Sequence, residues 1–188
     1  MPAASAEGMP ATSDEIGTTE QDWTRLPADD ASIREPREPE VILAALAATP
    51  VELGRMLDEA SPEALVQPSH DGGAAVVEVV AHLRDWEGVA GDWIARMLAD
   101  DAPPVLPVPD DSLWAIEHDY ASEDPHRAFA DFRDRRAALL VQIGALDVDG
   151  WGRSGTLDRD GTRTVQQVLD VLADQDAGHL ERAREALA

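Results

Sequence analysis

The sequence has 188 residues, enough for one ordinary domain but too few for two. Hydrophobic residues make up 44% of it and aromatic residues only 4%, so its core must consist mainly of Leu, Val, Ile and Ala. Cysteine is absent and all fifteen basic residues are arginine, which excludes disulfides, a thiolate nucleophile and Schiff-base lysine chemistry. The net charge of −23 opposes binding to nucleic acid or anionic membranes.

Two further patterns bear on location. No apolar run approaches the ~20 residues that a membrane-spanning helix needs. The N-terminus also lacks the basic region followed by an apolar stretch that is typical of a signal peptide. We therefore expect a cytoplasmic protein that does not associate with membranes.

The N-terminal segment differs from the rest of the chain. Residues 1–38 are acidic and show no apolar period, so they cannot bury enough surface to offset the entropy of ordering. We predict an N-terminal tail, disordered at least over residues 1–20, followed by one domain over residues 39–188. Three apolar residues could still pin part of the tail onto that domain: Trp23, Leu26 and Ile33.

Apolar residues at helical spacing predict two long helices in the first half of the domain. The first begins at Glu40 and is interrupted by Pro50, so it is either one kinked helix or two segments in line. The second runs from about Ala74 to Leu98. Four prolines in the segment 102–109 predict a rigid crossover loop, and residues 112–120 one or two helical turns.

Two more helices are predicted in the second half. Asp124 can cap the third helix, and Thr164 with Gln167 forms a capping-box pattern at the start of the fourth. The polar, glycine-rich segment 151–163 between them is either a small hairpin or an irregular loop. Four amphipathic helices with one long, proline-rich connection predict an all-α protein, a four-helix bundle.

Polar residues interrupt the apolar stripes of the second and fourth helices. His82 lies at the edge of one stripe, and Gln175 and His179, four residues apart, lie above one another on the other. Two imidazoles and an amide inside a bundle are a plausible open metal site that leaves a position for water. The alternative is that both histidines are core residues with hydrogen-bonded partners.

Acidic and basic residues near these positions allow several roles. Asp85 and Asp176, three residues from the two histidines, are candidates for orienting an imidazole, for replacing a ligand, or for an ordinary solvated helix face. Arg133 and Arg136 could pair with interior acids, bind an anionic substrate, or extend to solvent. The remaining histidines are interpreted as surface residues: His70, His118 and His126.

At these motifs the chain resembles the DinB/YfiT-like superfamily over about residues 40–187. The matching stretches are Asp71-Gly72-Gly73, the run from Val79 to Glu87, Trp151-x-Arg153, Gly161-Thr162-x-Thr164 and Asp176-x-x-His179-Leu180. The resemblance implies a four-helix bundle of the DinB/YfiT-like type, often dimeric. It also implies a divalent metal held by three histidines, one on the second helix and two in an HxxxH pattern on the fourth. Members include thiol-dependent S-transferases and isomerases that use bacillithiol or mycothiol.

Three residues depart from the family's pattern. His82 and His179 match the first and last metal ligands, but the middle ligand falls on Gln175, whose amide oxygen donates more weakly than imidazole. Ala74 and Ala75 also stand where the family usually has Trp followed by Ser or Thr. The resemblance therefore implies a metal site in which one ligand is replaced.

Two functions follow as expectations. The first is a divalent-metal-dependent enzyme, with Zn or Ni as the metal, acting as a hydrolase or as an S-transferase or isomerase that uses a low-molecular-weight thiol. Because the chain lacks cysteine, such a thiol must come from the cofactor. The alternative is a non-catalytic bundle that has lost the metal and binds a small ligand or a protein partner. In either case we expect a homodimer.

Overall fold

A computed structural model of the chain describes residues 34–70 and 72–188. The predicted disorder of residues 1–20 lies outside the described part, and the predicted division at residue 38 stays a prediction. The described elements, in chain order, are α1 (Pro39–Glu59), α2 (Pro62–Val66), α3 (Val76–Ala99), β1 (Val105–Leu106), α4 (Trp114–Glu117), a 3-10 turn (Tyr120–Ser122), α5 (Pro125–Gly144), α6 (Val148–Gly152), β2 (Ser154–Leu157), β3 (Gly161–Thr164) and α7 (Val165–Ala186).

Four long helices form the bundle, as predicted. Helices α1 and α3 each pack against both α5 and α7, so these two consecutive long helices lie at opposite corners. Their apolar faces meet in one continuous core, in which Ile42, Leu53, Ile94 and Phe132 are fully buried. None of the described helices is long and apolar enough to cross a membrane.

Helix α1 continues through its internal proline instead of dividing into two segments. Pro50 has no N–H group and cannot donate to the carbonyl of Leu46, four residues earlier. That carbonyl accepts a hydrogen bond of 2.8 Å from Nη1 of Arg136 on α5. The buried carbonyl that the proline leaves without its helical donor therefore has a partner from another helix.

The predicted helix caps position the later helices. Thr164 Oγ1 accepts a hydrogen bond of 3.2 Å from the backbone N–H of Gln167, and Gln167 Oε1 accepts one of 2.9 Å from that of Thr164. Asp124 Oδ1 accepts a bond of 2.9 Å from the N–H of Arg127 at the start of α5. These caps fix where α5 and α7 begin, and hence which residues of each face the core.

A small three-stranded sheet lies beside the bundle. Strands β2 and β3 form an antiparallel hairpin, one of the two alternatives that the sequence left open for residues 151–163. Gly161 follows the turn with φ of +74°, a left-handed conformation that glycine adopts without strain. The proline-rich crossover adds the parallel strand β1, which its prolines gave no reason to predict.

The segment before α1 is tied to the last helix by charge. Arg34 Nη2 donates to Oδ2 of Asp170 at 2.7 Å and to Oδ2 of Asp174 at 2.9 Å. Arg37 Nη2 donates to Oδ1 of Asp174 at 2.7 Å and also pairs with Asp170 through its Nε. Residues 34–38 are thus fixed against α7 before the first helix begins.

Candidate functional site

Two buried histidines face each other across the bundle. His82 on α3 is 3% exposed and His179 on α7 is 5% exposed. Their ring centroids are 5.0 Å apart, and the ring planes are tilted by 54°. The apolar stripes that they interrupt carry both side chains into the interior, as the helical spacing predicts.

The burial of both imidazoles determines their charge. Desolvation, with a smaller contribution from the positive charge of Arg182, lowers the pKa of His82 to about 4 although Asp85 opposes the shift. Desolvation, followed by the neighbouring His82 and Arg182, lowers the pKa of His179 to about 3. Both rings are therefore neutral at pH 7 and keep a nitrogen lone pair, the form of imidazole that binds metal ions.

A buried carboxylate that sequence reasoning missed lies beside the first histidine. Asp111, 3% exposed, comes from the loop before α4. Its Oδ2 is 3.6 Å from Nε2 of His82 and accepts a hydrogen bond of 2.6 Å from Nε1 of Trp86. The ring of Trp114 stands 6.0 Å from that of His82. Asp111 follows a run of prolines with no periodic pattern, so no sequence signal distinguishes it from the exposed Asp110.

The predicted middle ligand, Gln175, lies on the same helix as His179. Gln175 is half-buried on α7, one turn before His179. This position is compatible with the predicted cluster of three side chains. The role of Gln175 as a metal ligand stays a prediction.

Asp85 belongs to a different group of side chains, on the outer side of α3. Its Oδ2 accepts hydrogen bonds of 2.8 Å from Tyr120 Oη and from His118 Nδ1, and its Oδ1 accepts one of 2.8 Å from Arg84 Nε. Burial opposes ionisation, but these hydrogen bonds and the charge of Arg84 outweigh it and lower the pKa of Asp85. His118, interpreted from sequence as a plain surface residue, is thus held by a carboxylate.

Asp176 belongs to a buried charge network in the middle of the bundle. Arg136, 1% exposed, donates to Asp176 Oδ2 at 2.6 Å and to both oxygens of Glu87 at 2.7 and 2.8 Å. Thr49 Oγ1 donates to Asp176 Oδ2 at 2.7 Å. Burial raises the pKa of Glu87 although Arg136 opposes that shift. Of the alternatives open for the two arginines, pairing with interior acids applies to Arg136, whereas Arg133 extends to solvent and contacts Asp134.

A cleft opens beside Trp114, whose ring also lies 6.0 Å from that of His82. We call it the indole cleft, because the side chains of Trp93 and Trp114 line it together with those of Asp85, Asp92 and His118. Its volume is about 460 Å³, within the usual size of small-molecule sites. The ring of His118 stacks on Trp114 with centroids 5.8 Å apart.

The donors around the histidine pair meet part of what a metal ion needs. Two imidazoles bound to one tetrahedral zinc ion through bonds of ~2.1 Å have ring centroids roughly 5 Å apart, and the observed spacing matches this. Among residues 34–70 and 72–188, no three His, Asp or Glu side chains are grouped so that they could hold a metal ion. The site therefore offers two fitting histidines, and any third protein ligand must be of another type or must move.

Comparison with known proteins places the fold. Residues 45–183 match the family model described as the DinB superfamily. YfiT from Bacillus subtilis, described as a probable metal-dependent hydrolase with an unusual four-helix bundle topology, superposes with a TM-score of 0.72 at 20% identity, covering 81% of this chain and 91% of that chain. No functionally curated protein matches the sequence.

A second kind of relative shares the fold at greater distance. The mycothiol-dependent maleylpyruvate isomerase superposes with a TM-score of 0.64 at 13% identity, covering 78% of this chain and 61% of the isomerase. A variant of that isomerase gives a TM-score of 0.64 at 12% identity. These superpositions show a common fold, and the family model spans residues 45–183. The chain belongs to the DinB superfamily.

Proposed function

We propose that this protein is a divalent-metal-dependent enzyme in which His82 and His179 supply two imidazole ligands and Gln175 a weaker amide ligand. The observation that carries the proposal is the pair of neutral, buried imidazoles with ring centroids 5.0 Å apart. Zinc or nickel suits such a donor set. A solved relative described as a probable metal-dependent hydrolase supports the same reading.

The reaction class follows from the chemistry that a bound ion supplies. The ion would polarise a substrate oxygen or sulfur, or lower the pKa of a bound water or thiol. Because the chain has no cysteine, a thiol nucleophile must come from a small-molecule cofactor. We therefore propose hydrolysis, or transfer or isomerisation assisted by a low-molecular-weight thiol, as the activity.

The protein's own side chains prepare the site. Burial in the bundle keeps both rings uncharged and excludes bulk water. Asp111, held by the indole N–H of Trp86, lies beside His82, with its Oδ2 3.6 Å from Nε2 of that ring. Nη1 of Arg182 is 3.4 Å from Nδ1 of His179, which fixes that nitrogen as an acceptor. Binding of a metal through Nε2 of His82 would require the ring proton to be on Nδ1 and the contact with Asp111 to adjust.

Calorimetric titration of untagged, chelator-treated protein with Zn²⁺ and Ni²⁺ tests the proposal. We expect one ion per chain, loss of binding in His179→Ala, and tighter binding in Gln175→His because imidazole replaces an amide oxygen. His126→Ala, which removes an exposed histidine from the start of α5, is the matched control and should bind as the parent does. If the parent protein binds neither ion, the metal-dependent function is wrong. Unchanged affinity in Gln175→His would remove Gln175 from the ligand set.

Two observations favour a second function, a metal-free bundle that binds a small ligand. The described residues provide no group of three His, Asp or Glu side chains for an ion. Ring centroids at 5.0 Å are also ordinary for two packed aromatic rings, which prefer roughly 4.5–7 Å. The same titration separates the two functions, since a metal-free bundle would give no heat of binding with either ion.

A further inference from the structure

The indole cleft has walls that are fixed before any ligand binds. Trp93 Nε1 donates a hydrogen bond of 3.2 Å to the carbonyl of Pro107 in the crossover loop. Trp114 stands between the rings of Trp86, 5.6 Å away, and His118, 5.8 Å away. Both cleft indoles are therefore held in place by neighbours, and binding would not require them to be ordered.

The charges at the cleft are also fixed. Asp85 is kept ionised by its hydrogen bonds, and Asp92 is an exposed carboxylate at the rim. Two arginines lie nearby: Arg84 pairs with Asp85 and Glu123, and Arg135 donates to the backbone carbonyl of Arg84. Neither arginine is among the described residues that line the cleft. The carboxylates of Asp85, Asp92 and Glu123 outnumber these two guanidinium groups by one. The five side chains together therefore carry one negative charge, on a chain whose net charge is −23.

Indole rings beside carboxylates suit one class of ligand. The face of an indole attracts a cation more strongly than the other aromatic side chains do, and a carboxylate at the rim adds a second attraction. Anions are repelled by Asp85 and Asp92, whereas a purely apolar ligand would gain nothing from either. We propose that the indole cleft binds a small organic cation, an ammonium group on an apolar body.

This inference does not depend on the metal-dependent function. The described residues that line the cleft include neither His82 nor His179. A ligand in the cleft would nevertheless contact a ring that packs against His82, so binding there and chemistry at the histidines could be coupled. A test in the presence of a metal chelator examines the cleft alone.

Three probes of nearly the same shape separate charge from shape. They are choline, its neutral isostere 3,3-dimethylbutan-1-ol, and the anion 3,3-dimethylbutanoate. Each is titrated into the full chain with EDTA at constant low ionic strength, while two-dimensional NMR follows the indole N–H signal of Trp93. We expect choline to shift this signal and to bind at least about fivefold more tightly than the alcohol, with the anion weakest. Equal affinity of choline and the alcohol, or no shift of the Trp93 signal, would overturn the proposal.

A pair of charge-matched variants locates the site. Asp92→Asn removes the rim carboxylate and should weaken choline binding about threefold to tenfold. Asp58→Asn makes the same change in charge on the exposed surface of α1, at the opposite corner of the bundle from α3, and should leave the affinity unchanged. Equal weakening in both variants would mean that choline responds only to the overall negative charge, which would also overturn the proposal.

Discussion

At the scale of single residues, the two buried histidines make stability depend on pH. Their pKa values, about 4 for His82 and about 3 for His179, lie below the value near 6.5 expected in the unfolded chain. At pH values between the folded and the unfolded pKa of a histidine, the unfolded state binds more protons than the folded state. The free energy of unfolding therefore has its full value above pH 6.5 and decreases as the pH falls below that. Each histidine should contribute a slope that approaches about 1.4 kcal/mol per pH unit.

Urea unfolding of chelator-treated protein between pH 7.5 and 5 measures this slope, above the range in which most carboxylates titrate. His179→Gln removes one of the two titrating rings and should reduce the slope by about half. His126→Gln, at an exposed position, is the control for replacing a histidine. If His179→Gln unfolds with the same pH dependence as the parent, burial of the ring does not control its protonation.

Some residues of the site could be identified from the sequence, and others could not. His82 and His179 were identifiable because each interrupts an apolar stripe of period 3.6, and that period fixes the buried face. Helical spacing predicts the face of a helix but not the partner across it. Asp85 therefore proved to contact His118 and Tyr120, and Asp176 to contact Arg136. Asp111 lies in a loop without a period, and only the folded chain brings it to His82.

At the scale of elements, a hydrogen bond joins α1 to α5: Arg136 donates to the Leu46 carbonyl, which Pro50 leaves without its helical donor. Arg136→Met leaves the buried carboxylates of Glu87 and Asp176 without their cation, which typically costs about 3–5 kcal/mol. It also removes the donor to the Leu46 carbonyl. Pro50→Ala restores an N–H at position 50 that can bond to that carbonyl as in any helix. Pro50→Ala should therefore stabilise the Arg136→Met variant more than it stabilises the parent.

A double-mutant cycle measured by urea unfolding gives this coupling, expected near 1 kcal/mol, the usual net value of one hydrogen bond. The matched cycle pairs Pro50→Ala with Arg133→Met, an exposed arginine three residues earlier on α5, and should give no coupling. A coupling indistinguishable from zero with Arg136→Met would show that the Leu46 carbonyl does not need the guanidinium.

Elements with strong local signals were predictable and those with weak signals were not. Caps and apolar periods defined the four long helices, including the start of α7 at the Thr164 capping box. Pro50 left the continuity of α1 open, because whether a helix passes through a proline depends on what satisfies the freed carbonyl. Strand β1 has only two residues, Val105 and Leu106, and forms because β2 lies beside it. Pairing of this kind is tertiary and leaves no local pattern.

At the scale of the whole molecule, the fold does not determine the activity. A chain at 20% identity or less shares its fold with one protein described as a probable hydrolase and another described as an isomerase. A bundle held together by apolar stripes tolerates many substitutions, whereas an activity depends on a few side chains in its interior. Gln175, the replaced ligand of the proposed metal site, lies within the continuous helix α7.

The whole molecule also bears on association, and we predict a homodimer formed through helix faces. Large apolar side chains remain exposed on two neighbouring long helices: Val41 and Val51 on α1 and Val141 on α5, which are 51%, 69% and 77% exposed. Contact with a second copy of the chain would remove the apolar surface of these residues from water. Against this, the net charge of −23 drives copies apart.

The salt concentration determines whether apolar association or charge repulsion dominates. Charges on two copies are screened beyond about 8 Å at 0.15 M ionic strength but only beyond about 30 Å at 0.01 M. Light scattering coupled to size exclusion should therefore give twice the mass of one chain at 0.15 M salt and a shift towards the monomer at 0.01 M. Sodium sulfate at the same ionic strength as the chloride buffer is a useful second condition, since it strengthens apolar association as well as screening charge. A monomer mass at high protein concentration in both moderate-salt buffers would show that the exposed valines do not mediate association.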